Sequence, residues 1–203
     1  METHWEYDGR NQLSRIFYTG ANGGALPSGV IATADVTYTY HSTIPSRLIQ
    51  VSDGLGTESY GYDTLGRVTS LTRTMENVSY VTQYVWDEAN QVVETIYPSG
   101  RRVKAFRDTI GRLTGVKRTN SSGGVINTYV SNVVYQAGTG LLSQVVLGNT
   151  TREEYTYSSQ RLQLTNKKVI KAPNTLLFEA SYNYQSEAAS SEPSSYVLGI
   201  SGR

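Results

Sequence analysis

Aromatic residues recur two apart along the chain, at Tyr38 and Tyr40, Tyr60 and Tyr62, Tyr84 and Trp86, Tyr155 and Tyr157, and Tyr182 and Tyr184. Period-two spacing puts each pair on one face of an extended strand. Asp-x-x-Gly or Asp-x-x-Asn follows several pairs and reads as a turn. The carboxylate accepts from backbone N–H groups two or three residues on, while Gly or Asn takes the left-handed conformation. Behind the turn come β-branched stretches such as "RVTSLTRT" and "QVVETIY", which read as returning strands. Second turns follow at "SDGLG", "PSG" and "NSSGG", so hairpin succeeds hairpin. Helical periodicity with a cap is nearly absent, and 19–29 reads as a long hairpin tip or surface loop.

The pattern is an internal repeat, which decides the fold before any single residue does. Four registers align: Tyr7-Asp8 with Asn11-Gln12-Leu13, Tyr62-Asp63 with Gly66-Arg67-Val68, Trp86-Asp87 with Asn90-Gln91-Val92, and Asp108 with Gly111-Arg112-Leu113. Three weaker copies keep the aromatic and the apolar residue but lose the Asp: Tyr40 with Arg47-Leu48, Tyr135 with Gly140-Leu141, and Tyr157 with Arg161-Leu162. Tyr184 stands where an eighth would begin. In the fourth copy Arg107 fills the aromatic slot and Phe106 precedes it. A second apolar residue often lies three beyond the first, as in Leu13 and Ile16 or Val68 and Leu71. In an unbroken strand that step changes face, so either a bulge restores the register or both faces are covered.

Composition strengthens the all-β reading. The 203 residues include 16 Tyr and 19 Gly, the residue types of strands and of turns. The expectation is one array of seven to eight degenerate repeats over 5–185, followed by a flexible tail over 186–203. The net charge of +1 indicates neither nucleic acid nor an anionic membrane as partner. With no Cys, disulfides, thiolate catalysis and Cys-type zinc sites drop out. No apolar run approaches the ~18 residues of a membrane span. The N-terminus has no basic-then-apolar signal. It begins almost inside a repeat, which suggests a segment of something longer.

The motif Tyr62-Asp63-Thr-Leu-Gly66-Arg67-Val68 closely resembles the YD repeat of the RHS proteins, and Tyr97-Pro98-Ser99-Gly100-Arg101 matches that family's second turn. The likeness runs from about Tyr7 to about Tyr184. It implies a long spiralling β-sheet that winds into a hollow shell, here a partial one. In bacterial toxin complexes such a shell encloses a toxic polypeptide, and in teneurins a related shell serves adhesion. The segment that self-cleaves through aspartates has no counterpart here, nor does a toxin domain, so neither activity is carried over.

The repeat positions Tyr7, Asp8, Tyr62, Asp63, Gly66, Arg67, Trp86, Asp87, Asp108, Gly111 and Arg112 therefore read as structural, because an active site is needed once and a turn in every repeat. Gln12 and Gln91 at the Arg position suggest that a donor matters more than charge. Calcium would need carboxylates clustered in one loop. His4 and His41 have neither the number for a His-rich metal site nor a partner at triad spacing. Lys167, Lys168 and Lys171 read as a solvated strand surface. Asn77, Asn120 and Asn149 head glycosylation-type triplets that arise easily in a Ser/Thr-rich chain.

The reading is a non-enzymatic wall segment, with no cofactor, that encloses or displays a toxin or other polypeptide. Its partners are other YD-repeat segments or the enclosed polypeptide, with self-association through sheet edges as a corollary. It belongs to a larger protein that is secreted or at the cell surface, with a cytoplasmic stage before export. The alternative is a recognition module whose Tyr-rich faces bind carbohydrate or a partner protein. Regularly spaced aromatics in an array are expected to form a ladder between neighbouring repeats.

Overall fold

The computed structural model describes residues 1–184, and the tail expected over 186–203 lies outside them. The chain is all-β, a repetitive hairpin array. Its contacts divide it into two compact bodies, 1–101 and 102–203. The first holds β1 (Glu2–Tyr7), β2 (Leu13–Thr19), β3 (Val36–Tyr40), β4 (Leu48–Asp53), β5 (Gly56–Tyr62), β6 (Val68–Met75), β7 (Val78–Trp86) and β8 (Val92–Ile96). The second holds β9 (Arg102–Arg107), β10 (Leu113–Thr119), β11 (Val125–Tyr135), β12 (Leu142–Leu147), β13 (Thr151–Tyr157), β14 (Leu164–Lys171) and β15 (Thr175–Ser181). Within each body every strand pairs antiparallel with its neighbours in sequence. A meander of this kind needs only local connections.

A bulge stands opposite the aromatic slot in each of the seven repeats, including the one that Arg107 fills. Tyr62 faces Val68 while Gly61 faces Ser70, so Thr69 has no partner of its own. The same omission falls at Ser14, Ile49, Val93, Thr114, Ser143 and Thr165. Ser14, Ser143 and Thr165 donate their hydroxyls to Glu6, Val134 and Thr156 carbonyls across the break. The bulge explains the three-residue step. Tyr60 faces Leu71 and Tyr62 faces Val68, so the two apolar residues share a face with the two tyrosines.

The left-handed residue lies two before the bulged strand's first paired residue in all seven repeats: Asn11, Ser46, Gly66, Asn90, Gly111, Gly140 and Leu162. This corrects two alignments. Tyr135 pairs with Leu142 and not Leu141, and Tyr157 pairs with Leu164 and not Leu162. Leu162 sits at the turn itself with φ 55°, equivalent to Gly66 at φ 82°.

The 20–35 connection carries a short 3-10 turn at Ala21–Gly23. Glu2 accepts the Asn22 and Gly23 N–H groups there at 2.9 and 3.1 Å. Arg15 then pairs with Asp35 at 2.6 Å, where β2 meets β3.

Few side chains are removed from solvent. Among the described residues the buried apolar ones are Val133, Ile170 and Ala180. Strand faces are mostly half-buried, so cohesion is distributed over the sheet instead of gathered in one core.

The turn geometry sets two opposite substitutions. Gly66→Ala is expected to lower the unfolding free energy by about 1–2 kcal/mol. Its new Cβ would also approach the Arg47 Nη2 to 2.9 Å. Leu162→Gly is expected to raise it by about 0.5–1 kcal/mol, because a left-handed Leu is replaced by the residue that tolerates the conformation. Urea unfolding of both variants checks the pair, and equal signs would contradict the assignment of Leu162 to the turn.

Candidate functional site

The feature that recurs is the turn and its grip on the next repeat. In the best-preserved copy Asp63 N–H donates to the Arg67 carbonyl, and Gly66 N–H to the Asp63 carbonyl, both at 3.0 Å. Asp63 Oδ1 accepts Leu65 N–H at 3.0 Å and Arg67 N–H at 2.9 Å. Its other oxygen accepts Arg67 Nε at 2.7 Å. Asp108 repeats the whole set, with Arg112 Nε donating at 2.8 Å. Asp8 accepts from the Arg10 and Gln12 amides, and Asp87 from that of Gln91.

The Arg also holds the following repeat. Arg67 Nη1 donates to the Asp87 carbonyl at 2.9 Å, and its guanidinium lies 5.5 Å from the Trp86 ring centre. Arg47 lies over Tyr62 at 5.1 Å, and Arg112 over Tyr135 at 4.6 Å. Each such cation–π contact contributes about 0.5–1 kcal/mol at a partly exposed site. The aromatic reaches back in turn. Tyr40 donates to the Leu13 carbonyl, Tyr62 to Leu48, Trp86 through Nε1 to Val68, and Tyr135 to Leu113, at 2.5–3.0 Å. Leu13, Leu48 and Val68 are the residues paired with the previous aromatic, and Leu113 is paired with Arg107, which fills the aromatic slot. At Tyr62, Trp86 and Tyr135 repeat is thus latched to repeat by one ring, one guanidinium and one backbone oxygen.

This arrangement differs from the expected aromatic ladder. Among the described residues the close ring pair is His4 on Phe17, with centres 4.9 Å apart. The Tyr62, Trp86 and Tyr135 rings are met by arginines instead. Tyr7 is 59% exposed. At Gln12, which stands where other repeats have Arg, turning the amide so that its O and N exchange places lets it donate to Asp8 Oδ2 at 3.2 Å and accept Ser46 N–H at 2.6 Å, spanning two turns. Arg107, in the aromatic slot, donates to the Gly111 carbonyl at 3.1 Å.

Three turn acceptors were invisible to a search for Asp. His41 Nδ1 accepts the N–H groups of Thr43 and Ile44, both at 3.2 Å. Ser158 Oγ accepts those of Arg161 and Gln163, and Gln136 Oε1 accepts the Thr139 hydroxyl. The signal available was a polar acceptor directly after the aromatic. Lys167 and Lys168 are not simply solvated: they pair with Glu153 and Glu179, each at 3.2 Å.

Hydrogen bonds set the carboxylate acidities. The Arg67 N–H, and then its guanidinium, hold Asp63 below the usual carboxylate range. The guanidinium of Arg112 does so at Asp108, and that of Arg73 at Asp53, where Nη2 lies 2.8 Å away. Glu58, accepting the hydroxyl of Tyr60, pushes that phenol up to about 12. Among the described residues no three of His, Asp and Glu converge as a metal site would require. None of their helices is long and apolar enough to cross a membrane.

A turn with its own acceptor, a left-handed residue, a bulge and a latch, repeated with small changes, defines a YD-type hairpin array of the kind that forms shell walls. The Teneurin YD-shell family model matches residues 6–136, and the chain belongs to that family. No curated protein matches it. Among solved structures it is similar to the TcdB2-TccC3-Cdc42 complex, with a TM-score of 0.71 and 14% identity over 90% of this chain. TcdB2-TccC3 gives 0.70 at 14% identity, again over 90% of this chain. The Photorhabdus luminescens Tc holotoxin pore, carrying a substituted TccC3, gives 0.65 at 16% identity over 90%. This chain spans only 10–11% of those chains. At such identity the likeness is one of fold.

The depressed aspartates fix a direction for acid. The unfolded chain takes up these protons at higher pH than the folded one, so their contribution is complete above about pH 5 and fades below about pH 4. The urea midpoint of the chain should therefore fall between those values and about pH 2. With Asn at positions 53, 63 and 108 the turn acceptors remain, and the fall should be visibly shallower. An unchanged acid slope in the triple variant would show that the turn ion pairs do not contribute.

Proposed function

We propose that this chain is a non-enzymatic stretch of shell wall, whose repeat residues serve to hold successive hairpins together around or beneath another polypeptide. One observation carries this reading. The groups that could be taken for chemistry, the Asp-Arg pairs and the aromatic beside them, are consumed by backbone turns and by the neighbouring repeat at Asp63, Arg67 and Trp86. The family description as a shell supports the same role. The wall belongs to a longer, secreted or surface-exposed protein, whose partners are further YD repeats and a contained or displayed polypeptide, toxic in the toxin-complex case.

Recognition of sugars by the repeat aromatics has less support. Guanidinium groups lie over Tyr62, Trp86 and Tyr135, and the polar atom of each ring is already bound to a carbonyl. A stacking platform needs a free ring face.

The test is recovery of the native protein from its source under non-denaturing conditions, with protease added before and after urea. The expected result is a co-recovered polypeptide that resists protease until the sheet unfolds. Recovery with glycan and without any protected polypeptide would overturn the wall reading in favour of recognition.

A further inference from the structure

On β9 and β10, Phe106 and Lys104 share one strand face, and Lys117 stands directly across from Lys104 in the antiparallel register. Both ammonium groups lie near the Phe106 ring, at 5.9 and 5.0 Å from its centre. Opposite Phe106 on β10 is Gly115, which sets no side chain against the ring from that strand. A Cβ there would press on the Val130 carbonyl at 3.2 Å. Thr128 stands across from Lys117 on β11.

Like charges directly opposite in a sheet repel and weaken the pairing. Elsewhere in this body the sheet lysines Lys167 and Lys168 each meet a glutamate at 3.2 Å. Among the described residues neither Lys104 nor Lys117 has a carboxylate at ion-pair distance; their contact is the ring they share. An anion placed between the ammoniums would remove the repulsion and use both charges, with apolar atoms against the ring.

We propose that Lys104, Lys117 and Phe106 form a docking site for an acidic polypeptide segment, with a glutamate or aspartate carboxylate between the two lysines and its methylene groups on the ring. The occupant follows from charge complementarity: two cations without a carboxylate partner on one sheet face, beside a half-buried aromatic that faces a glycine. It deepens the wall reading, since a contained or displayed polypeptide is the natural source of such a segment, and rests on that reading for its source only.

The test uses the full chain and a fluorescent deca-glutamate peptide, followed by polarisation at low and at physiological salt. Wild-type protein is expected to bind. Lys104→Gln and Lys117→Gln should each weaken binding roughly fivefold, and the double variant should abolish it at physiological salt. Phe106→Leu should weaken binding while retaining the salt dependence. Lys171→Gln, which alters a lysine outside this pair, should bind as wild type. Deca-glutamate binding equally well to the double variant overturns the proposal, as does no binding to the wild type. A single-stranded oligonucleotide bound more tightly than the peptide through the same lysines also overturns it, in favour of a nucleic-acid ligand. None of these outcomes bears on whether a protease-protected polypeptide accompanies the native protein, so the site and the wall reading fail separately.

Discussion

A strand array in which only Val133, Ile170 and Ala180 among the described residues are buried apolar groups cannot rely on a central core. The hydrophobic effect scales with apolar area removed from water, and half-buried faces remove little of it per residue. Stability in a repeat array is then close to a sum of contributions within each repeat and between nearest neighbours. The neighbour term here is concentrated at the turn edge. Arg67 binds Asp63 of its own repeat and both the carbonyl of Asp87 and the ring of Trp86 in the next. Trp86 answers by donating to Val68, so one residue pair ties two hairpins in both directions.

The bulge serves the same end. It leaves Thr69 unpaired and lets Tyr62 and Val68, then Tyr60 and Leu71, face each other on one side of the sheet. The aromatic thereby stands beside the previous repeat's carbonyl, within reach of its Arg. Without the bulge, a step of three would turn Leu71 to the other face. Turn, bulge and latch are one device, and the chain repeats it where the residue types change. His41, Gln136 and Ser158 present an imidazole, an amide and a hydroxyl where Asp63 presents a carboxylate.

Much of the hairpin grammar was legible in the sequence because it is local. Tyr60 and Tyr62 announce a strand by their spacing, and Asp63 with Gly66 announces a turn by residue type. The register at Tyr157 was not legible: Arg161-Leu162 imitates the Arg-apolar step, whereas Leu162 accepts the left-handed turn conformation and Leu164 is the paired residue. Nor was the latch. Arg67 and Asp87 are 20 residues apart, and a guanidinium over a ring leaves no periodic trace in composition. The His41 acceptor escaped because it is defined by what a side chain accepts, which several residue types can do.

Nearest-neighbour cohesion through the latch makes the coupling between Arg67 and Trp86 the central quantity. A double-mutant cycle with Arg67→Met and Trp86→Leu, measured by urea unfolding, isolates it. The account predicts that the two substitutions are less than additive, with a coupling of about 0.5–1 kcal/mol in favour of the native pair. Additivity to within about 0.3 kcal/mol would contradict it and return the cohesion of the array to backbone pairing alone.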